Sequence, residues 1–156
     1  MASWNEFETA APELAKRVKE LFDAHKHKTM ATLRKDGSPR ISGTETVFRD
    51  GELFIGSMWQ ALKAKDLQRD PRFAIHSATF DPDNDWPGEA KLAGTATEVV
   101  DEAEVKKRNG EAGANGPSHS FRLEITEASA VYLNEAKTKL IIEVWTPERG
   151  VRTIER

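Results

Sequence analysis

Residues 56–71 combine the features that could bind an anion at the start of a helix. A strand-like run ends there, and Ser57 and Gln60 stand in capping-box spacing, which predicts a helix N-terminus. Such a terminus presents free backbone N–H groups and the positive end of the helix dipole to an anion. Lys63 and Lys65 add two cations within the first two predicted turns. The segment therefore indicates a phosphate-binding site, although the same residues are also typical of a solvated, mildly basic helix with an ordinary cap.

The four histidines offer fewer options for chemistry. His25 and His27 form a His-x-His pair, but no third ligand stands nearby in the sequence, so we expect no metal site. His76 lies in a strand-like run. It could be an interior or interface histidine, or it could act as a haem ligand or proton donor. His119 follows a glycine-rich stretch and could reach the site of a partner chain. No acid–base cluster stands out, so the sequence identifies no catalytic residue.

Several functional classes are excluded by composition. The chain has no cysteine, which excludes disulfides, thiolate catalysis and cysteine-ligated metals. It lacks the Gly-x-Ser-x-Gly, Walker-type and Gly-x-Gly-x-x-Gly patterns, so neither a serine hydrolase nor an NTPase is indicated. A net charge of −3 gives no argument for nucleic acid or an anionic membrane as partner. No apolar run approaches the roughly 20 residues of a membrane span, and the N-terminus lacks a signal-peptide pattern, so we expect a cytoplasmic protein.

The elements that must position the candidate residues are mainly strands. Period-two runs rich in Thr, Val, Ile and Phe predict strands at 28–34, 39–48, 52–58, 72–80, 89–100, 119–133 and 138–146, and 151–154 could add a short last one. Asp36-Gly37 and Asp50-Gly51 predict tight hairpins between the first three strands. Gly94 indicates a bulge or a close-packing point.

Three short helices complete the prediction. Residues 12–24 carry one apolar stripe, formed by Leu14, Val18, Leu21 and Phe22. A second helix follows the predicted cap at 57–60 and ends before Pro71, and a capping-box pattern at 101–104 opens a third, to about residue 108. About seven antiparallel strands must hide their edges, and closure into a barrel does this. We therefore predict one mainly β domain.

Three blocks of sequence together carry a family resemblance. They read Met-Ala-Thr-Leu-Arg-Lys-Asp-Gly-Ser-Pro-Arg at 30–40, Asp-Gly-Glu-Leu-Phe-Ile-Gly at 50–56, and Lys-Ala-Lys-Asp-Leu-Gln-Arg-Asp-Pro-Arg-Phe-Ala-Ile at 63–75. This succession resembles the pyridoxamine 5′-phosphate oxidase-like family of FMN-binding split barrels, which includes deazaflavin-dependent reductases. The resemblance covers residues 28–100 well and the C-terminal third more loosely. It implies a single flavin-binding, antiparallel split-barrel domain over 1–156.

The resemblance also implies which residues contact the cofactor. Carried over position by position, these are Ser42 and Thr44 on the second strand, Ile55, Gly56 and Ser57 at the end of the third, and Lys63 and Lys65 on the helix. Near the C-terminus, Glu-Val-Trp at 143–145 with a downstream arginine resembles the stretch that approaches the flavin across a dimer. It points to Trp145 and Arg152 as cofactor contacts. It is equally open that Trp145 is an aromatic residue of the core and that Arg152 is solvated.

Two departures argue against a standard pyridoxamine phosphate oxidase. The second strand reads Arg-Ile-Ser-Gly-Thr-Glu at 40–45 in place of Arg-x-Val-Leu-Leu-Lys, and Leu62 stands where a polar residue is usual. Two phosphate-binding cations are thus missing, and Glu45 would repel a phosphate if it pointed inward.

The function implied by the resemblance is that of an oxidoreductase. It would bind FMN, or the related deazaflavin coenzyme F-420, at a homodimer interface and transfer a hydride to or from a small substrate. The alternatives are a non-catalytic flavin store, a haem-binding split barrel with His76 or His119 as ligand, and a protein that kept the fold and lost the cofactor.

Overall fold

The computed structural model describes residues 1–82, 85–109 and 117–156, and in them eight strands and four helices. The helices are α1 (Trp4–Ala10), α2 (Pro12–Asp23), α3 (Leu62–Arg69) and α4 (Glu102–Asn109). The strands are β1 (His27–Leu33), β2 (Pro39–Arg49), β3 (Glu52–Met58), β4 (Arg72–His76), β5 (Glu89–Val99), β6 (Ser118–Leu133), β7 (Leu140–Thr146) and β8 (Gly150–Glu155). The glycine-rich connection predicted before β6 lies largely outside the described residues.

Six of the strands close into an antiparallel barrel. Their order is β3-β2-β1-β4-β5-β6, and β3 pairs again with β6 to complete the ring. β7 and β8 extend the sheet from β6, and β8 pairs with β7 over its whole length. The predicted mainly β split barrel is confirmed, with an eighth strand and a fourth helix beyond the predicted number. No helix in the described ranges is long and apolar enough to cross a membrane.

The barrel is divided along one side, where β2 and β3 part. In the described residues their ladder runs from Arg49↔Glu52 to Thr46↔Ile55. Beyond that point β2 continues along β1, whereas β3 continues along β6 as far as Met58. We call the region between residues 40–45 of β2 and 56–58 of β3 the split.

The two Asp-Gly turns differ in geometry. Asp50 and Gly51 have φ values of +53° and +76°, as a two-residue hairpin turn requires. At the first turn Gly37 has a φ of +83°, whereas Asp36 accepts hydrogen bonds from the N–H and hydroxyl of Ser38. The Asp36 side chain therefore stabilises the loop between β1 and β2, and the predicted hairpin is confirmed, with a turn longer than two residues.

The core lies between the barrel wall and the two N-terminal helices. The predicted stripe of α2 is buried, with Val18 and Phe22 fully enclosed. The sequence reasoning missed α1, although Ser3 and Glu6 form a capping box that opens it. The ring of Phe7, on α1, is fully buried.

The predicted irregularity at Gly94 is confirmed. The register between β5 and β6 shifts between Ala93 and Gly94. A Cβ at Gly94 would lie 1.8 Å from the carbonyl oxygen of Glu124, a contact that only glycine avoids. The bulge bends β5, which favours the curvature that closure of a small barrel needs.

Candidate functional site

The helix α3 lies across one end of the barrel, beside the split. Asp66, buried with 2% exposure, accepts hydrogen bonds from Thr32 Oγ1 of β1 at 2.9 Å and from Arg40 Nε of β2 at 2.6 Å. Arg69 donates to the same carboxylate at 3.1 Å. Burial raises the pKa of Asp66, but these hydrogen bonds outweigh it and leave the pKa lowered. An ionised, buried carboxylate therefore fastens α3 to both strands.

The capping box predicted at Ser57 and Gln60 is wrong. The helix begins at Leu62, and its N-cap residue, Ala61, makes no side-chain capping bond. Ser57 belongs to β3, because pairing with β6 continues through it to Met58. Residues 58–61 form a turn closed by the N–H of Ala61 on the carbonyl of Met58, and Gln60 has a φ of +59°. The ladder with β6 thus holds the residues that the pattern assigned to a cap.

Lys63 joins the helix to the far side of the split. Its Nζ donates to the carbonyl oxygen of Gly43 on β2 at 2.7 Å. Burial lowers the pKa of Lys63, since its ammonium has left water. An anion in the split would offset that penalty. Lys65, two residues further along α3, is exposed.

Hydroxyl groups line the split without partners. The side-chain oxygens of Ser42 on β2 and Ser57 on β3 are buried, and so is that of Thr46, which lies just beyond the split in the β2–β3 ladder. None of the three has a hydrogen-bond partner in the described residues. Thr44 is also buried, and its hydroxyl makes one long contact of 3.5 Å to a neighbouring carbonyl. Buried polar atoms are nearly always hydrogen-bonded, so this group of hydroxyls fits a bound polar ligand.

Glu45 does not oppose an anion in the split. Its carboxylate lies 3.3 Å from His27 Nε2 and 3.7 Å from Lys26 Nζ, and about half of the side chain is exposed. It shares the outer face of the sheet with its cross-strand partner His27, whereas Thr44 faces inward. The repulsion expected from an inward Glu45 is therefore absent.

The remaining predicted site residues take different positions. Ile55 is fully buried in the core, and Gly56 pairs with Ser120 at the edge of the split. Trp145, on β7, is 3% exposed, with its ring 4.6 Å from that of Phe7. Arg152 is exposed on β8. Lys63 reaches Gly43, which lies between Ser42 and Thr44 on β2, and Ser57 lies on β3 at the other side of the split, whereas Trp145 and Arg152 lie on β7 and β8.

A polar cluster next to the split was not found from the sequence. His119, opposite Ser57 in the β3–β6 ladder, contacts Glu98 of β5 and stacks on Trp59. The alternation of β5 and β6 places Glu98 and His119 inward, but only the register of the two strands shows that they meet.

A second group of basic residues lines an open groove at the N-terminal end of β1. The groove is bordered by His25, Lys26, His27, Lys28 and His76, among others. Lys28 is buried, with its Nζ 3.1 Å from the carbonyl of Lys26, and burial lowers its pKa. Over the described ranges, no three His, Asp or Glu side chains are placed to hold a metal ion.

Comparison with known proteins gives a family match over most of the chain. Residues 14–132 match the model of a family described as pyridoxamine 5′-phosphate oxidase. No curated protein matches the sequence.

Three solved structures show the same fold. General stress protein 26 from Bacillus anthracis is 12% identical with a TM-score of 0.60, over 74% of this chain and 91% of that one. A haem-binding protein from Mycobacterium smegmatis is 14% identical, with a TM-score of 0.61, over 91% and 87%. The haem storage protein HutZ from Vibrio cholerae is 20% identical, with a TM-score of 0.56, over 74% and 89%. At these identities the likeness concerns the fold alone.

Proposed function

Because the chain belongs to the pyridoxamine 5′-phosphate oxidase family, we propose that it binds a phosphorylated flavin in the split and acts as a flavin-dependent oxidoreductase. FMN is the preferred cofactor, and the deazaflavin coenzyme F-420, which shares the ring and the phosphate, is the alternative. The observation that carries the proposal is Lys63, a half-buried cation that donates across the split to Gly43, together with the buried hydroxyls of Ser42 and Ser57, which have no partner in the described residues.

The residues of the split fit the phosphate of such a cofactor. Lys63 would neutralise it, and the hydroxyls of Ser42, Thr44 and Ser57 would donate to its oxygens. A bound flavin supplies hydride transfer through its ring, so the protein needs no nucleophile of its own. The protein's part is to hold the phosphate, enclose one face of the ring and leave the other to a small substrate.

Arg40 supports an activity other than standard pyridoxamine phosphate oxidation. It stands at the arginine of the family's second-strand stretch, but its Nε is hydrogen-bonded to Asp66 at 2.6 Å. The Nε–H of its guanidinium is thus used to hold α3. Glu45 stands at the last position of the stretch, where the family has a lysine, and Leu62 stands on the helix where a polar residue is usual. Lys63 and Lys65 are therefore the residues proposed to supply positive charge to the phosphate.

A second copy of the chain would complete the site. Three apolar side chains around the split are exposed, namely Ile41 at 72%, Met58 at 81% and Leu62 at 58%. Large exposed apolar residues grouped in this way favour an interface. We expect sedimentation to give a homodimer.

The test compares FMN with riboflavin, which has the same ring and no phosphate. In Lys63→Ala we expect FMN to bind about 10- to 150-fold more weakly, the range for one charged hydrogen bond, and riboflavin to bind as in wild type. Flavin fluorescence quenching measures both. Lys16→Ala removes an exposed lysine of α2 and serves as the control. Equal loss of both ligands, or a wild-type protein that binds neither, would refute the proposal.

Haem binding is the second candidate. Two neighbours in fold are described as haem proteins, and the groove offers His25, His27 and His76 beside two lysines that could pair with propionates. His76 is the better ligand, because it borders the open groove, whereas His119 is 5% exposed. A Soret band on adding haemin, lost in His76→Ala, would favour haem over flavin.

A further inference from the structure

The turn that leads into α3 rests on a buried imidazole. His119 is 5% exposed, and its Nε2 accepts a hydrogen bond from the backbone N–H of Gln60 at 3.1 Å. Its Nδ1 lies 2.6 Å from Glu98 Oε1. The indole of Trp59 stacks on the ring, with centroids 4.7 Å apart and planes inclined by 8°. Two consecutive residues of the turn are thus held by one side chain.

These contacts determine the tautomer of His119. The backbone N–H of Gln60 can only donate, so Nε2 must carry a lone pair. The hydrogen of the neutral ring then lies on Nδ1 and is donated to Glu98. A second proton would sit on Nε2 and face the N–H of Gln60, two donors with no acceptor between them. The observed turn is therefore compatible with the neutral imidazole.

The same network reaches the helix itself. Gln68, on α3, donates from Nε2 to Glu98 Oε2 at 2.9 Å. Glu98 thereby links His119, below the turn, to the body of the helix. From the elements packed around it, the imidazole faces Ser57 of β3, Glu98 of β5 and the Phe121 ring of β6.

The turn needs such a support because its backbone is strained. Gln60 has a φ of +59°, in the left-handed region that disfavours a side chain by roughly 1–2 kcal/mol. Trp59, beside it, is 54% exposed and has little other packing to hold it. The hydrogen bond to His119 offsets this strain.

We propose that His119 is a positioning residue for the split: it sets the turn at 58–61 and thereby the start of α3 and the place of Lys63. The inference rests on the proposed cofactor site for its functional meaning. Lys63 lies three residues beyond Gln60, and its Nζ must reach Gly43 across the split. A turn released from His119 would move that ammonium.

Two substitutions test the roles of the two ring nitrogens of His119 one at a time. His119→Gln places an amide oxygen near the position of Nε2 and keeps an acceptor for Gln60. His119→Asn places an amide near Nδ1 and keeps the contact with Glu98 but loses the acceptor. We expect His119→Asn to bind FMN about tenfold more weakly, as the loss of one hydrogen bond predicts, and His119→Gln to bind within about threefold of wild type.

Two measurements without cofactor test the turn directly. The amide hydrogen of Gln60 should exchange slowly in wild type and His119→Gln, and faster in His119→Asn. In wild type, the nitrogen-15 shifts of the His119 ring should show a lone pair on Nε2 and the hydrogen on Nδ1, as the contacts with Gln60 and Glu98 require. Trp59→Phe, which leaves both hydrogen bonds in place, is the control.

The outcomes distinguish this inference from the cofactor site. If Gln60 exchanges as fast in wild type as in His119→Asn, or if the His119 ring carries its hydrogen on Nε2, the positioning role is wrong whether or not FMN binds. If FMN binds through Lys63 but equally well to both His119 variants, the inference fails and the proposed function stands. If no flavin binds but both measurements without cofactor give the expected result, His119 does support the turn and the proposed function fails.

Discussion

Replacement of Asp66 by Asn tests whether one buried carboxylate holds α3 on the barrel. The change keeps the shape of the side chain and removes its charge. Asn cannot accept at both of its terminal atoms, so at least one of the contacts to Arg40, Arg69 and Thr32 loses its acceptor. The helix that carries Lys63 would then be held mainly by Ala64 and Leu67, its buried apolar side chains.

The expected cost follows from the exposure of the partners. Removing one partner of a fully buried ion pair costs about 3–5 kcal/mol. The side chains of Arg40 and Arg69 are 21% and 38% exposed, so water can replace part of the lost contact. We therefore expect the low end, about 3 kcal/mol in the free energy of unfolding. With a urea dependence of about 2 kcal/mol per molar, the midpoint should fall by about 1.5 M.

The pH dependence provides an independent check. Because the pKa of Asp66 is lower in the folded than in the unfolded protein, its contribution to stability is complete above the unfolded value, about 3.9. The contribution is lost as the pH falls through the folded pKa. Urea midpoints of wild type and Asp66→Asn should differ fully at pH 7 and converge as the pH falls below the unfolded pKa and through the lower folded one. Other carboxylates titrate in both proteins and cancel in the difference.

A neighbouring carboxylate serves as the control. Asp70 is paired with Arg72, whose hydrogen bonds lower the pKa of Asp70 to about 2, and the Arg72 side chain is 69% exposed. Because solvent screens this pair, Asp70→Asn should lower the urea midpoint at pH 7 clearly less than Asp66→Asn does. If Asp66→Asn behaves like Asp70→Asn, or if its deficit persists unchanged at low pH, Asp66 does not anchor α3 and the reasoning is refuted.

Two further predictions concern the barrel and the helix that covers it. Gly94→Ala should lower the free energy of unfolding by about 3 kcal/mol or prevent folding, because the added Cβ meets backbone atoms of Glu124. Thermal melts measure the effect. Gly43→Ala is the control, because no atom lies within 4 Å of its added Cβ. Phe7→Ala should cost about 3–5 kcal/mol and change the near-ultraviolet circular dichroism of Trp145, whose ring lies 4.6 Å away. A loss below about 1 kcal/mol would show that α1 is dispensable.

The parts of the fold that the sequence predicted depend on local patterns. The stripe of α2 and the alternation of the strands are visible in single segments, and the Asp50-Gly51 turn needs only its two residues to reach positive φ. The capping assignment at Ser57 failed because a strand 60 residues away competes for the same backbone. The cap of α1 was visible at Ser3 and Glu6, but seven residues carry too short a periodicity to stand out.

Some residues of the candidate site could likewise be predicted from local sequence, and others depend on long-range packing. Lys63 could be predicted from the order of motifs around it, since the helix follows its strand directly. The contact between Glu98 and His119 depends on the register of β5 and β6, which pairs Glu98 with Phe121 and not with the histidine. For Trp145 a cofactor contact and a core position were both open from the sequence, and Phe7 of α1 lies against its ring. Long-range packing therefore decides which of the candidate residues face the split.

The composition of the split also indicates how tightly it can hold a phosphate. Arg40 is committed to Asp66, and Glu45 pairs with His27 and Lys26 on the outer face, so one half-buried lysine and several hydroxyls remain. A neutral hydrogen bond contributes about 0.5–1.5 kcal/mol and a charged one about 1.5–3. Replacing two charged hydrogen bonds by neutral ones thus removes about 2–3 kcal/mol of phosphate affinity and leaves the contribution of the ring unchanged. We therefore expect the preference for FMN over riboflavin to depend largely on Lys63.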